Sequence, residues 1–153
     1  MHRLQRFALA LALLLVAGTA TAAKGLVRLA SPYPLAKTAE RFVAQANERG
    51  LTIFNRIDHA AGAADVDMEL RPTRVVIFGN PKGGTPLMQC AQTAGIDLPM
   101  KALVWEDAEG QVWLGYNDPA YLAERHGMSD CPPLAKVEKI LARVAQDTVA
   151  PDE

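Results

Sequence analysis

Apolar and polar positions change period several times along the chain, and each change marks an element. Leu26-Val27-Arg28-Leu29 alternates weakly, which predicts a short strand. Ser31-Pro32-Tyr33-Pro34 breaks it, and Pro34 suits a first helical turn. Leu35, Ala39, Phe42, Val43 and Ala46 then recur at helical spacing, with Lys37, Glu40, Arg41 and Glu48 mostly on the other side. This predicts an amphipathic helix that Gly50 stops. Leu51 to Asp58 reads as a strand with Leu51, Ile53 and Ile57 on one face. His59 to Asp67 is rich in alanine and glycine and reads as an exposed loop with room for a helical turn.

Val75-Val76-Ile77-Phe78 is a continuous apolar run. Such a run suits a central strand covered on both faces, or one edge covered by a helix. It stops at Gly79-Asn80-Pro81-Lys82-Gly83-Gly84-Thr85-Pro86, which reads as a glycine-rich loop. Thr85 as N-cap and Pro86 behind it predict a short helix through Leu87, Met88, Cys90 and Ala91, ended by Gly95. Lys101 to Glu106 and Gln111 to Tyr116 bracket Asp107-Ala108-Glu109-Gly110, a β-hairpin pattern. Asn117-Asp118-Pro119 caps a helical segment closed by Gly127, and Leu134, Val137, Leu141 and Val144 form the stripe of a last helix. Hairpins with segregated helices predict an α+β fold: a mostly antiparallel sheet with helices packed on one face.

The N-terminus follows a different logic. Arg3 and Arg6 precede the apolar run Phe7 to Ala17, and small residues Ala20-Thr21-Ala22-Ala23 follow. This is the pattern of a secretory signal peptide over residues 1–22, cleaved after Ala22 or Ala23. The apolar run is well short of the roughly 20 residues needed to span a bilayer. Residues 24–149 are then expected to form one α+β domain, periplasmic or secreted, with no membrane span after processing. Removing residues 1–22 takes two of 16 cations and none of the 17 acids, so the net charge moves from −1 to −3. That balance offers no field for nucleic acid. Hydrophobic residues at 50% and charged residues at 22% argue against disorder. Cys90 and Cys131 are the chain's two cysteines, and in an oxidising compartment they are expected to pair. The bond would pin the last helix beside the helix after the glycines, worth about 4 kcal/mol in the chain-entropy model.

Asp58-His59, Arg71-Pro72-Thr73, Phe78-Gly79-Asn80-Pro81-Lys82, Gly84-Thr85-Pro86-Leu87-Met88, Asp97-Leu98-Pro99 with Lys101, and Arg125-His126 together resemble the domain of unknown function 302 family. The likeness runs from about Leu26 to Gly127. It implies a βα unit plus four strands closed by a helix, β-α-β4-α-like, in the outline of the TATA-binding-protein-like fold. It implies no activity, and Cys90 and Cys131 lie outside the pattern.

The glycine segment is the sequence's leading candidate site. Glycines joining a strand to a helix let backbone N–H groups face one point, and Lys82 adds a cation; such ends attract phosphates, sulfates and carboxylates. It is not a Walker A loop, because Lys82 precedes Gly83 and Gly84. The alternative is a tight structural turn with Lys82 in solvent. At Asp58-His59, the histidine is a candidate ligand contact or general base. Adjacent strand residues point to opposite faces, however, so the two are not expected to touch.

His126 near a helix end is accounted for by the helix dipole. A soft copper site from His59, His126, Met88, Met100 and Met128 lacks any M-x-x-M array. Trp105 and Trp113 sit on the two arms of the hairpin and are expected to meet across it, in core packing rather than as a stacking platform. No G-x-S-x-G, H-E-x-x-H or C-x-x-C motif supplies a nucleophile or a metal site, and no cofactor is implied. The leading expectation is therefore a non-enzymatic module that takes a small anionic or amphiphilic ligand between the glycine segment and the Asp58-His59 loop. Asp58, His59, Asn80, Lys82, Gly83, Gly84 and Thr85 would line that site. The alternatives are an enzyme using His59 as acid/base and a protein–protein assembly module using an exposed sheet face.

Overall fold

The computed structural model describes residues 23–152; the signal peptide expected over residues 1–22 lies outside them. The chain order is β1 (Leu26–Ser31), α1 (Leu35–Glu48), β2 (Thr52–Asp58), α2 (His59–Ala64), β3 (Thr73–Gly79), α3 (Pro81–Cys90), a 3-10 turn (Gln92–Ile96), β4 (Met100–Glu106), β5 (Val112–Asn117), α4 (Pro119–His126) and α5 (Leu134–Val149). The strands form one sheet in the order β1-β5-β4-β3-β2, every neighbour antiparallel. This is the α+β class that the hydrophobic pattern predicts.

One face of the sheet meets α1 and α5. Val76, Phe78, Met100, Ala102, Val104, Val112, Leu114 and Tyr116 are buried there, against Phe42 and Ala46 of α1 and Leu141 and Val144 of α5. Phe42 and Phe78 meet edge-on, with ring centroids 5.0 Å apart, a favoured aromatic geometry. Arg41 reaches from α1 to the end of α5, donating to the carbonyls of Thr148 (2.7 Å) and Ala150 (2.9 Å). It thereby satisfies acceptors that a helix end leaves orphaned.

Two expectations about strands need correction. Val75 and Ile77 are half-buried while Val76 and Phe78 are buried, so β3 is covered by helices on one face only. In β2, the pairing with β3 steps from Ile53–Phe78 to Asn55–Ile77, leaving Phe54 as a bulge. The extra residue reverses the alternation beyond it. Ile57 therefore shares a face with Val75, away from Ile53, and is 38% exposed.

Candidate functional site

The glycine segment is a helix, not a loop. Asn80 is the N-cap of α3, its side chain accepting from Lys82 N–H at 2.8 Å, and Pro81 opens the first turn. The amides of Gly83 and Gly84 both donate to the Asn80 carbonyl at 2.9 Å, and Thr85 lies in the second turn. Those amide hydrogens are consumed by a neighbouring carbonyl and do not converge on a shared point. Thr85 is therefore not the N-cap, and Pro86 lies inside the helix. With two glycines and a proline in its interior, α3 is intrinsically weak. It is fastened at both ends instead. Asn80 Nδ2 donates to the Gly50 carbonyl at 2.8 Å. At the other end Cys90 is bonded to Cys131, across 41 residues of sequence, as expected from the sequence.

Asp58 and His59 do not share a site with these residues. β2 and β3 pair Thr52 with Gly79 at one end and Asp58 with Arg74 at the other. At about 3.3 Å per residue the two ends are roughly 17–20 Å apart, so no small ligand spans them. Asp58 caps α2, accepting from Ala61 N–H at 3.0 Å, and its other oxygen takes Arg74 Nε at 2.8 Å. The Ala61 amide, followed by the Arg74 guanidinium, holds this carboxyl below its ordinary value. His59 is the exposed first residue of α2 rather than a strand residue, and Asp58 is committed to capping that helix and to Arg74.

His126 carries more than the helix dipole. Its Nε2 lies 2.6 Å from Asp97 Oδ2 and its Nδ1 3.0 Å from Thr93 Oγ1, with the ring almost fully buried. Arg125 donates to the other Asp97 oxygen. The order hydroxyl, imidazole, carboxylate is that of an activated nucleophile. The cavity that Asp97 borders, however, is only about 10 Å³ and otherwise lined by apolar or thioether side chains, barely room for one water. The cluster clamps the 3-10 turn to the end of α4. Its members stand 29 and 33 residues apart in sequence, so no local spacing announces it, although Asp97 and Arg125-His126 both belong to the family pattern named above. Met100 and Met128 are core residues, and no group of three or more metal-binding side chains occurs among the described residues.

The most site-like surface is the sheet face away from α1 and α5. The register places three rows on it: Ala30, Trp113, Trp105 and Thr73; Arg28, Gly115, Leu103, Val75 and Ile57; and, toward the other end, Lys101, Ile77 and Asn55. Only Gly115 among them is fully buried, and it is covered by a side chain of the same face. Trp105 and Trp113 do meet across the hairpin, with centroids 6.3 Å apart and planes at 22°. Their expected place in the core is wrong: they stack on the uncovered face.

Trp105 leans over Gly115, where an added Cβ would lie 3.0 Å from its ring. Trp113 is fixed from below by donating Nε1–H to Asp107 Oδ2 at 2.8 Å. That bond is the first cause holding the Asp107 carboxyl below its usual range. Arg28 lays its guanidinium 4.8 Å from the Trp113 ring centre, within cation–π range. Phe54, raised by the bulge and 51% exposed, extends this apolar surface over Gly79.

No helix among the described residues is long and apolar enough to cross a membrane. Over 104 residues the chain is 51% identical to fluoride-specific ion channel FluC 1 of Brucella suis biovar 1 (strain 1330), covering 68% of this chain and 41% of that protein. It is equally similar to fluoride-specific ion channel FluC 1 of Brucella abortus biovar 1 (strain 9-941), covering 38% of it. The chain thus spans about two fifths of the length of these curated relatives. The fold matches the crystal structure of an uncharacterized conserved protein DUF302 from Bacillus stearothermophilus, with a TM-score of 0.74 at 17% identity over 82% of this chain and 99% of that one. The family model for the domain of unknown function DUF302 matches residues 27–148, and the chain belongs to that family.

Proposed function

We propose that this protein is an exported, non-enzymatic binding module whose ligand surface is the helix-free face of its sheet. The ligand is an amphiphilic anion: its apolar body lies on Trp105, Trp113, Leu103 and Ile77, and its acid group meets Arg28, with Lys101 on the same face. The observation that carries this reading is the stacked tryptophan pair with a guanidinium over it. Arg28 has no ion pair among the described residues. Aromatic and arginine side chains on one face are what recognition surfaces favour over the rest of a protein exterior. The Cys90–Cys131 disulfide supports an extracytoplasmic setting.

Trp105 and Trp113 are the chain's two tryptophans, so intrinsic fluorescence reports directly on this face. Titration with decanoate below its micelle concentration is expected to give a saturable change that Arg28→Ala weakens and Trp113→Ala abolishes. An unsaturable response, or equal responses in wild type and Arg28→Ala, would sink the reading.

A second reading, docking of the same face on a protein, is favoured by one finding. The Brucella relatives carry the similar stretch within a longer polypeptide named for an ion channel. It predicts a concentration-dependent or partner-dependent mass that Trp113→Ala abolishes, with no response to decanoate.

A further inference from the structure

The opposite side of the sheet carries a separate cavity. Where α1 crosses the β2–β3 edge, a space of about 210 Å³ opens between helix and strands. Its floor is Ala39 and Val43 of α1 with Val76 of β3, and Ile57 and Val75 border it at the strand edge. Its polar wall is Arg56 and Asp58 of β2, Arg74 of β3 and Glu40 of α1. The register explains the wall. Arg56 pairs with Val76 and Asp58 with Arg74, so all four side chains point to the helix side. Arginines thus stand where the core would otherwise continue, and the sheet outruns its helical cover.

The two ion pairs at this wall are unequal. Asp58 is held by Arg74 and by the Ala61 amide together, and it also caps α2. Glu40 meets Arg56 by a single contact of 2.8 Å, both side chains more than half exposed. An exposed pair of this kind is worth about 0–1 kcal/mol, so it exchanges cheaply. The guanidinium has further N–H donors for a planar carboxylate.

We propose that this cavity binds a compact monocarboxylate, whose acid group displaces Glu40 from Arg56 and whose few apolar carbons rest on Ala39, Val43 and Val76. The cavity is smaller than the roughly 300–1,000 Å³ of drug-sized sites, which sets the size of the body. Arg74–Asp58 stays closed and forms the fixed side wall. Its cation differs from that of the tryptophan surface, since Arg56 and Arg28 stand on opposite faces of the sheet.

The test is an NMR titration of the processed chain with sodium butyrate, against sodium chloride at equal ionic strength. Methyl signals of Val43 and Val76 and the Arg56 side-chain N–H are expected to shift saturably with butyrate and not with chloride. Glu40→Gln removes the internal competitor, so butyrate should bind about two- to fivefold tighter. Arg56→Gln should lose saturable binding, while Arg28→Ala, on the other face, should leave it unchanged. Both Glu40 and Arg56 are surface residues, and an unaltered spectrum elsewhere verifies the fold of each variant. Absence of saturable shifts in both wild type and Glu40→Gln overturns the proposal, as does equal or weaker binding in Glu40→Gln. Retained binding in Arg56→Gln does the same.

Discussion

The two faces of the one sheet differ in what their residues are for. On the helix side, Val76, Phe78, Val104 and Leu114 are at most 2% exposed and interlock with α1 and α5. On the other side, Val75, Ile77, Leu103 and the two tryptophans are only half-buried. Both faces carry large apolar side chains, and strand residues alternate between them. The difference lies in cover: the first face has exchanged water for side chains, and the second has exchanged it only in part. Burial is what converts apolar area into stability, so the first face should carry the fold and the second should carry recognition.

Phe78→Ala removes a fully buried ring and should cost about 3–5 kcal/mol by denaturant unfolding. A loss below about 1 kcal/mol would mean that the helix side is not the stabilising one.

Gly115→Ala is sharper because it tests the link between the faces. The new methyl would meet the Trp105 ring at 3.0 Å and the Val27 carbonyl at 3.1 Å. It should cost about 1–3 kcal/mol and shift the tryptophan emission as Trp105 is displaced. Ile77→Thr, on the open face, should cost less than about 1 kcal/mol, and circular dichroism melts will show whether it does.

Gly83→Ala should act in the opposite sense. Nothing lies within 4 Å of the added Cβ, and the residue is helical. Alanine in place of a helical glycine should therefore stabilise by about 0.5–1 kcal/mol. A loss of stability would mean that α3 needs the glycine there.

The smallest effect is electrostatic. The Ala61 amide, followed by the Arg74 guanidinium, holds the folded-state Asp58 carboxyl below its ordinary value. Its contribution is therefore present above roughly pH 4 and is lost as pH falls through the lowered value. Asp58→Asn keeps a competent N-cap and removes only the charge. Its stability should fall less steeply than wild type between about pH 4 and pH 2.

Much of the architecture was legible because period and punctuation agreed. The Leu35–Ala46 stripe, the Gly110 turn and the Gly127 stop each repeat one message at two levels. The glycine segment misled because two signals of the same kind compete in it. Asn80-Pro81 and Thr85-Pro86 are both cap-plus-proline pairs, and the intervening glycines argue for a loop. The first pair wins because Asn80 also ties to Gly50 and the disulfide holds the far end. Neither tertiary tether is visible locally.

The β2 bulge was hidden for a related reason, since Leu51, Ile53 and Ile57 fit a regular strand without it. The tryptophans were misplaced because composition says that indoles are apolar, not which face has a lid. The candidate surface was therefore legible only as residue types, and the register assembled it.

The bulge at Phe54 also bears on self-association. β2 is an outer strand of the sheet, and an outer strand offers unpaired amides and carbonyls to any extended chain nearby. A skipped residue throws such a newcomer out of step after a few hydrogen bonds, which discourages end-to-end growth into ribbons. At this margin the sheet is therefore harder to lengthen by adding a strand.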